Sequence, residues 1–101
     1  MNDMHFNLRE KARIFKALSE ERRLEILRYL SNKEFCVGDV AQNFNMSASV
    51  ASHHLKVLES VHLITRRKEG RNVIFKVNSK LLKGLFEEIF EFLEINIEDL
   101  N

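Results

Sequence analysis

Apolar positions recur at three- and four-residue spacing from the start of the chain. Met4, Leu8, Ala12, Phe15 and Leu18, with Ile14 beside them, form one apolar helical stripe. Ser19 before Glu20 and Glu21 reads as an N-cap with acids in the first turn of a second helix. Leu24, Leu27 and Leu30, with Ile26 beside them, give that helix its buried side, and it should stop near Ser31 and Asn32. Val37, Val40, Ala41 and Phe44 fall at i, i+3, i+4 and i+7, which predicts a third helix of about two turns. Asn43, Asn45 and Ser47 make the turn that follows. Ser47 is a good N-cap for a fourth helix, with Val50, Ala51, His54, Leu55 and Leu58 inward and an end around Ser60.

The period then changes. Leu63-Ile64-Thr65 and Val73-Ile74-Phe75-Lys76-Val77 are rich in β-branched residues and flank a basic segment with a Glu69-Gly70 turn signal, which predicts a β-hairpin with a basic tip. Ser79 reads as the cap of a last helix whose broad apolar face comprises Leu82, Leu85, Phe86, Ile89, Phe90, Leu93 and Ile97. The fold class is mainly α, in the order helix, helix, helix, helix, hairpin, helix. The chain contains no proline and three glycines, in keeping with a helical majority.

Length and charge narrow the reading. One domain spanning 1–101 is all that 101 residues support. No apolar run approaches the roughly 20 residues of a membrane span, and the first ten residues lack the apolar core of a signal peptide. A single cysteine, Cys36, closes no intrachain disulfide, so a cytoplasmic home is expected. The net charge of +1 hides an asymmetry: residues 1–83 hold all sixteen bases against nine acids, and residues 84–101 hold six acids and no base. Taken alone, that could be an ordinary solvated surface. Beside the hairpin, it points to a polyanion at one face.

Two short helices joined by a tight turn, then a hairpin with a basic tip, make a winged helix-turn-helix. A helix fits the DNA major groove, and a neighbouring hairpin can lay cations along phosphates or into the minor groove. On the fourth helix Ser49, Ser52, His53 and Lys56 form one polar stripe, extended by Ala48, with the apolar residues opposite. These five, with Arg66, Arg67, Lys68 and Arg71 of the hairpin, are the candidate DNA-binding residues. Ser and His can bond bases or phosphates; the hairpin cations suit phosphates.

The run Phe15-Lys16-Ala17-Leu18-Ser19-Glu20-Glu21-Arg22-Arg23-Leu24-Glu25-Ile26-Leu27 resembles the "ALsdptRlrIL" opening of the ArsR/SmtB family of repressors. Ser52-His53-His54-Leu55-Lys56-Val57-Leu58 resembles its "S-x-H-L-x-x-L" recognition helix, and Arg67 to Phe75 its "rreGr-x-v-x-Y" wing. The match runs in order from about residue 12 to 78, with one departure: His62 stands where the family usually has glycine. The resemblance implies a homodimer built on the first and last helices, bound to double-stranded operator DNA and released by an inducer that the sequence does not identify. Leu8, Phe15, Phe86, Phe90 and Leu93 are then the candidate dimer-interface residues. Glu87, Glu88, Glu91, Glu94 and Glu98 are expected to face solvent.

Many relatives sense metals, and the resemblance says where. One site is a Cys-Val-Cys run on the third helix; here it reads Cys36-Val37-Gly38. The other uses Asp and His residues on the last helix; the aligned residues are about Ser79, Leu81, Phe92 and Ile95. Both sites are incomplete, so no metal or other cofactor is expected. Cys36 reads first as a small buried residue, with a sensor thiol as the alternative. Adjacent His53 and His54 point ~100° apart on a helix and do not chelate one ion together. His5 and His62 find no ligand partners in the sequence. Neither a Ser-His-Asp order, a glycine-rich phosphate loop nor an HExxH motif is present, so an enzyme is not expected. The alternative to a DNA-binding repressor is a helical interaction module of the anti-activator type, with the acidic last helix as its binding face.

Overall fold

The computed structural model describes residues 5–31 and 33–96. Its elements are α1 (Leu8–Leu18), α2 (Glu21–Leu30), α3 (Val37–Asn43), α4 (Ala48–Ser60), β1 (Ile64–Glu69), β2 (Asn72–Val77) and α5 (Ser79–Phe92). This is the order that the hydrophobic pattern predicts. One core joins all the helices and the hairpin base: Ile14 and Ala17 from α1, Ile26, Leu27 and Leu30 from α2, Val40 from α3, Ala51, Leu55 and Leu58 from α4, Leu63, Ile64 and Phe75 from the hairpin, and Leu81 and Leu85 from α5. Each fully buried Leu, Ile or Phe contributes about 1.5–3 kcal/mol.

The α1 stripe divides in two. Ile14 and Ala17 turn inward, while Leu8 is 61% exposed and Phe15 38%. An apolar strip on both sides of a helix serves two surfaces, and spacing alone does not separate them. Met4 and Ile97 lie outside the described residues. The same resolution of stripes leaves Leu24 and Val50 exposed on α2 and α4.

Helix ends differ from the sequence expectation in detail. Ser19 closes α1 rather than opening α2: its hydroxyl donates to the Lys16 carbonyl at 2.6 Å, and Glu20 takes the α2 N-cap position without a side-chain cap bond. Asn78, not Ser79, caps α5 by accepting from the Leu81 N–H at 3.2 Å. Asn7 opens α1 in a capping box with Glu10, whose carboxylate accepts from the Asn7 N–H. Ser47 caps α4 as expected, accepting from the Val50 N–H at 3.1 Å.

Asn45, His62 and Glu94 have φ of 51°, 63° and 58°. Each follows a helix and forms the same paired bonds. His62 N–H donates to Glu59 O and Leu63 N–H to Leu58 O; Asn45 and Met46 bond to Gln42 and Ala41; Glu94 and Ile95 bond to Glu91 and Phe90. These are Schellman ends with side chains where glycine is usual.

The hairpin pairs Ile64 with Val77 through Glu69 with Asn72. Its strands are longer than expected, so Arg66, Arg67 and Lys68 lie within β1 and only Arg71 sits in the turn beside Gly70. Strand propensity is weak beside context, so the exposed positions of β1 take basic residues although β-branched ones favour strands more. Phe35 adds a bridge to the other side of β2: its N–H donates to Phe75 O at 3.2 Å and the Phe75 N–H to Phe35 O at 2.9 Å. The hairpin root is thereby tied to the segment between α2 and α3.

Candidate nucleic-acid interface

The outer face of α4 is polar and open. Ala48, Ser49, His53 and Lys56 are exposed and Ser52 is half-buried. The opposite face, Ala51, His54, Leu55 and Leu58, is buried. The stripe expected from spacing therefore exists, and its small residues leave room for a groove wall. His54 anchors the helix from beneath. Its Nδ1 lies 3.5 Å from Arg23 Nη1 and its Nε2 faces Glu20 Oε1 at 3.6 Å, a pairing that suits the neutral ring protonated at Nε2. Burial holds the His54 pKa below its usual value; Glu20 opposes that shift, and Arg23, His53 and Arg22 add to it. Arg23 also donates through Nε to the Ala17 carbonyl at 2.6 Å and pairs with Glu20 at 2.8 Å. Helix α4 is thus keyed to the α1–α2 junction.

The four candidate cations of the hairpin divide. Arg66 donates two bonds to Glu59 at the end of α4, at 2.6 and 2.8 Å, and its guanidinium lies 5.2 Å from the centre of the Phe75 ring. Arg67 forks onto both oxygens of Glu34, at 2.8 and 2.9 Å, and reaches Glu69 at 2.8 Å. These bonds raise both arginine pKa values and lower that of Glu34. Lys68 and Arg71 are exposed and form no ion pair among the described residues. Sequence reasoning missed all three carboxylate partners, Glu59, Glu34 and Glu69. Glu34 lies 33 residues from Arg67 and nothing local announces it.

On another side of the protomer, α1 and α5 share apolar surface open to solvent. Leu8, Phe15, Phe86 and Leu93 are exposed, Phe90 is half-buried, and Phe15 meets Phe86 edge-on at 6.5 Å between ring centres. Phe92 and Ile95 are exposed as well and were not anticipated. Glu87, Glu91 and Glu94 face solvent, but Glu88 does not. Its Oε1 accepts from the Phe6 N–H at 3.1 Å and lies 3.9 Å from Lys11 Nζ, pinning the segment before α1 onto α5. Lys11, supplied by the neighbouring helix, is what draws this acid inward. Glu98 lies outside the described residues.

The donor set does not suit a soft metal. Cys36 is the one thiol in the chain; it is half-buried, caps α3 and donates to Asp39 Oδ2 at 3.1 Å. Gly38 occupies the place of the second thiolate, where a Cβ would sit 3.9 Å from Cys36 Sγ. At the other site Leu81 is a core residue and Phe92 and Ile95 are apolar. Among the described residues no three His, Cys, Asp or Glu side chains gather closely enough to hold an ion. A single thiolate is a weak chelate.

Residues 20–66 match the family model described as bacterial regulatory protein, arsR family. The chain is 39% identical over 85 residues to the cadmium resistance transcriptional regulatory protein CadC homolog of Staphylococcus aureus, covering 83% of this chain and 70% of that protein. It is 30% identical over 87 residues to the transcriptional repressor SdpR of Bacillus subtilis, covering 86% and 97%. A homodimeric winged helix-turn-helix DNA-binding domain from Mycobacterium bovis superposes with a TM-score of 0.72 at 28% identity, covering 93% of this chain and 91% of that one. Fold, motif order and relatives agree on a regulator of transcription rather than an enzyme, and the chain belongs to the arsR family of bacterial regulatory proteins.

Proposed function

We propose that the protein is a repressor that binds operator DNA as a homodimer and is released by an inducer other than a metal at the two usual sites. The observation that carries this reading is the open polar stripe of α4 opposite a buried face, beside a hairpin anchored at its root. Ala48, Ser49, Ser52, His53 and Lys56 would enter or border the major groove, with Lys56 on a phosphate. Lys68 and Arg71 would contact phosphates. Arg66 and Arg67, already satisfied by Glu59 and Glu34, would set the angle of the wing. Leu8, Phe15, Phe86, Phe90 and Leu93, joined by Phe92 and Ile95, would be covered by the second subunit, which also supplies the second half-site. One recognition helix reads too few base pairs for a genomic address.

No helix among the described residues is long and apolar enough to cross a membrane, and a cytoplasmic location follows from a DNA target. Binding to the region upstream of its own gene, measured by gel shift against salt, tests the reading. Affinity should fall steeply as salt rises. Salt-independent binding, or none, would favour a protein-interaction module instead.

A further inference from the structure

About its axis, α1 carries three faces rather than two. Ile14 and Ala17 enter the core, and Leu8, Ala12 and Phe15 form the exposed apolar strip. Arg9, Arg13 and Lys16, at i, i+4 and i+7, form a third, exposed strip. None of these three cations pairs with a carboxylate among the described residues, whereas Arg22, Arg23, Arg66 and Arg67 all do.

The position of the strip is informative. Arg13 and Lys16 wall a groove whose other side is formed by His53, Val57 and Ser60 of α4. His53 also belongs to the outward stripe of α4. On the other flank of that helix, Glu59 is held by Arg66 of the wing. The reading face of α4 therefore lies between two basic elements, the wing on one side and α1 on the other. A helix seated in a major groove about 12 Å wide has a ridge of phosphates along each flank. The wing accounts for one ridge.

We propose that Arg13 and Lys16 bind the other: a second phosphate-binding strip that holds the DNA backbone on the side of α4 away from the wing, with Arg9 extending it. The proposal rests on α4 being the DNA-reading helix. Unpaired cations need no carboxylate displaced before they meet phosphate, so these residues add to the counterions released on binding. They carry no base information and should act alike on all sequences.

The test compares the full-length protein with its Arg13→Ala/Lys16→Ala variant on the upstream fragment and on a scrambled fragment, between 50 and 200 mM KCl. The homodimer carries the pair twice, so removing four phosphate contacts should reduce the slope of log affinity against log salt by about four on both fragments, and the fourfold rise in salt costs the variant roughly a hundredfold less affinity. Arg13→Lys/Lys16→Arg should restore the slope. Lys80→Ala/Lys83→Ala, which removes two exposed cations of α5, should leave it unchanged. Both altered α1 side chains are exposed, and unchanged melting would show that the fold is intact. An unchanged slope in the folded Ala variant overturns the proposal and assigns the strip to another partner, such as an acidic protein. Failure of the unaltered protein to bind DNA overturns the DNA-binding reading and this proposal together.

Discussion

His54 is the one buried polar side chain among the described residues, and it sits on the inner side of α4, opposite the exposed polar stripe. Its folded pKa is held below the unfolded value by burial. Above about pH 6.5 both states are neutral and nothing changes. Below that, the unfolded chain takes up a proton that the folded ring resists, so stability declines until the folded pKa is reached. Melting temperature should therefore fall between pH 7.5 and 5.5, and His54→Gln should flatten that part of the profile; an equal fall in the variant would exclude His54 as the source. The wing cations make a second comparison. Arg71→Ala removes one cation from each subunit of the dimer and should lower the salt slope by about two with the fold unchanged. Arg67→Ala frees Glu34 and should loosen the wing, while a slope reduced as much as by Arg71→Ala would place Arg67 on a phosphate. Periodicity put His54 on the inner side of α4. Its partners, Glu20 and Arg23, were illegible because they depend on how α2 crosses α4.

Helices and strands were legible where apolar spacing is regular, and their ends were not. Ser19 and Ser79 look like caps by type, yet the backbone turns one residue away from each, at Glu20 and Asn78. A short polar side chain can serve either end of a helix: Ser19 bonds a carbonyl behind it instead of an amide ahead. The glycine expected at a helix terminus is replaced at three Schellman ends by Asn45, His62 and Glu94. A left-handed conformation costs a non-glycine residue roughly 1–2 kcal/mol, and greater freedom of glycine in the unfolded chain offsets part of it. His62→Gly should accordingly stabilise the protein by about 0.5–1 kcal/mol and raise the melting temperature by about 3–6 °C. A lower melting temperature would mean that the His62 side chain holds something there. The hairpin was recognisable from its β-branched runs and Gly70. The inclusion of Arg66 to Lys68 within β1 was not, because charge says nothing about pairing.

At the scale of the molecule, the surplus of apolar surface on α5 could be inferred from sequence, since a 101-residue domain has limited interior. Which residues form the surplus could not: Phe92 and Ile95 emerge only once the helix is docked. Phe90 is half-buried within one protomer, so its truncation mixes folding with association. Phe86, 45% exposed, separates them. Phe86→Glu should give a folded monomer by sedimentation and lose operator binding at concentrations where the unaltered protein saturates. A dimer of unchanged affinity would place the interface elsewhere. The donor set makes a further statement about the whole regulator. Zn(II), Cd(II) and As(III) at stoichiometric doses should leave operator complexes intact in a gel shift. Release that Cys36→Ser abolishes would make the thiol the sensor.

The reciprocal bonds between Phe35 and Phe75 give the wing a gauge outside itself. The Phe35 amide is held only while β2 lies against the segment before α3, so lifting the wing exposes it to deuterium exchange. An inducer that works by swinging the hairpin should accelerate uptake at residue 35. One that works by prying subunits apart should leave that amide as slow as before. A single backbone proton, far along the chain from the arginines of the wing, thus distinguishes the two ways such a repressor can let go.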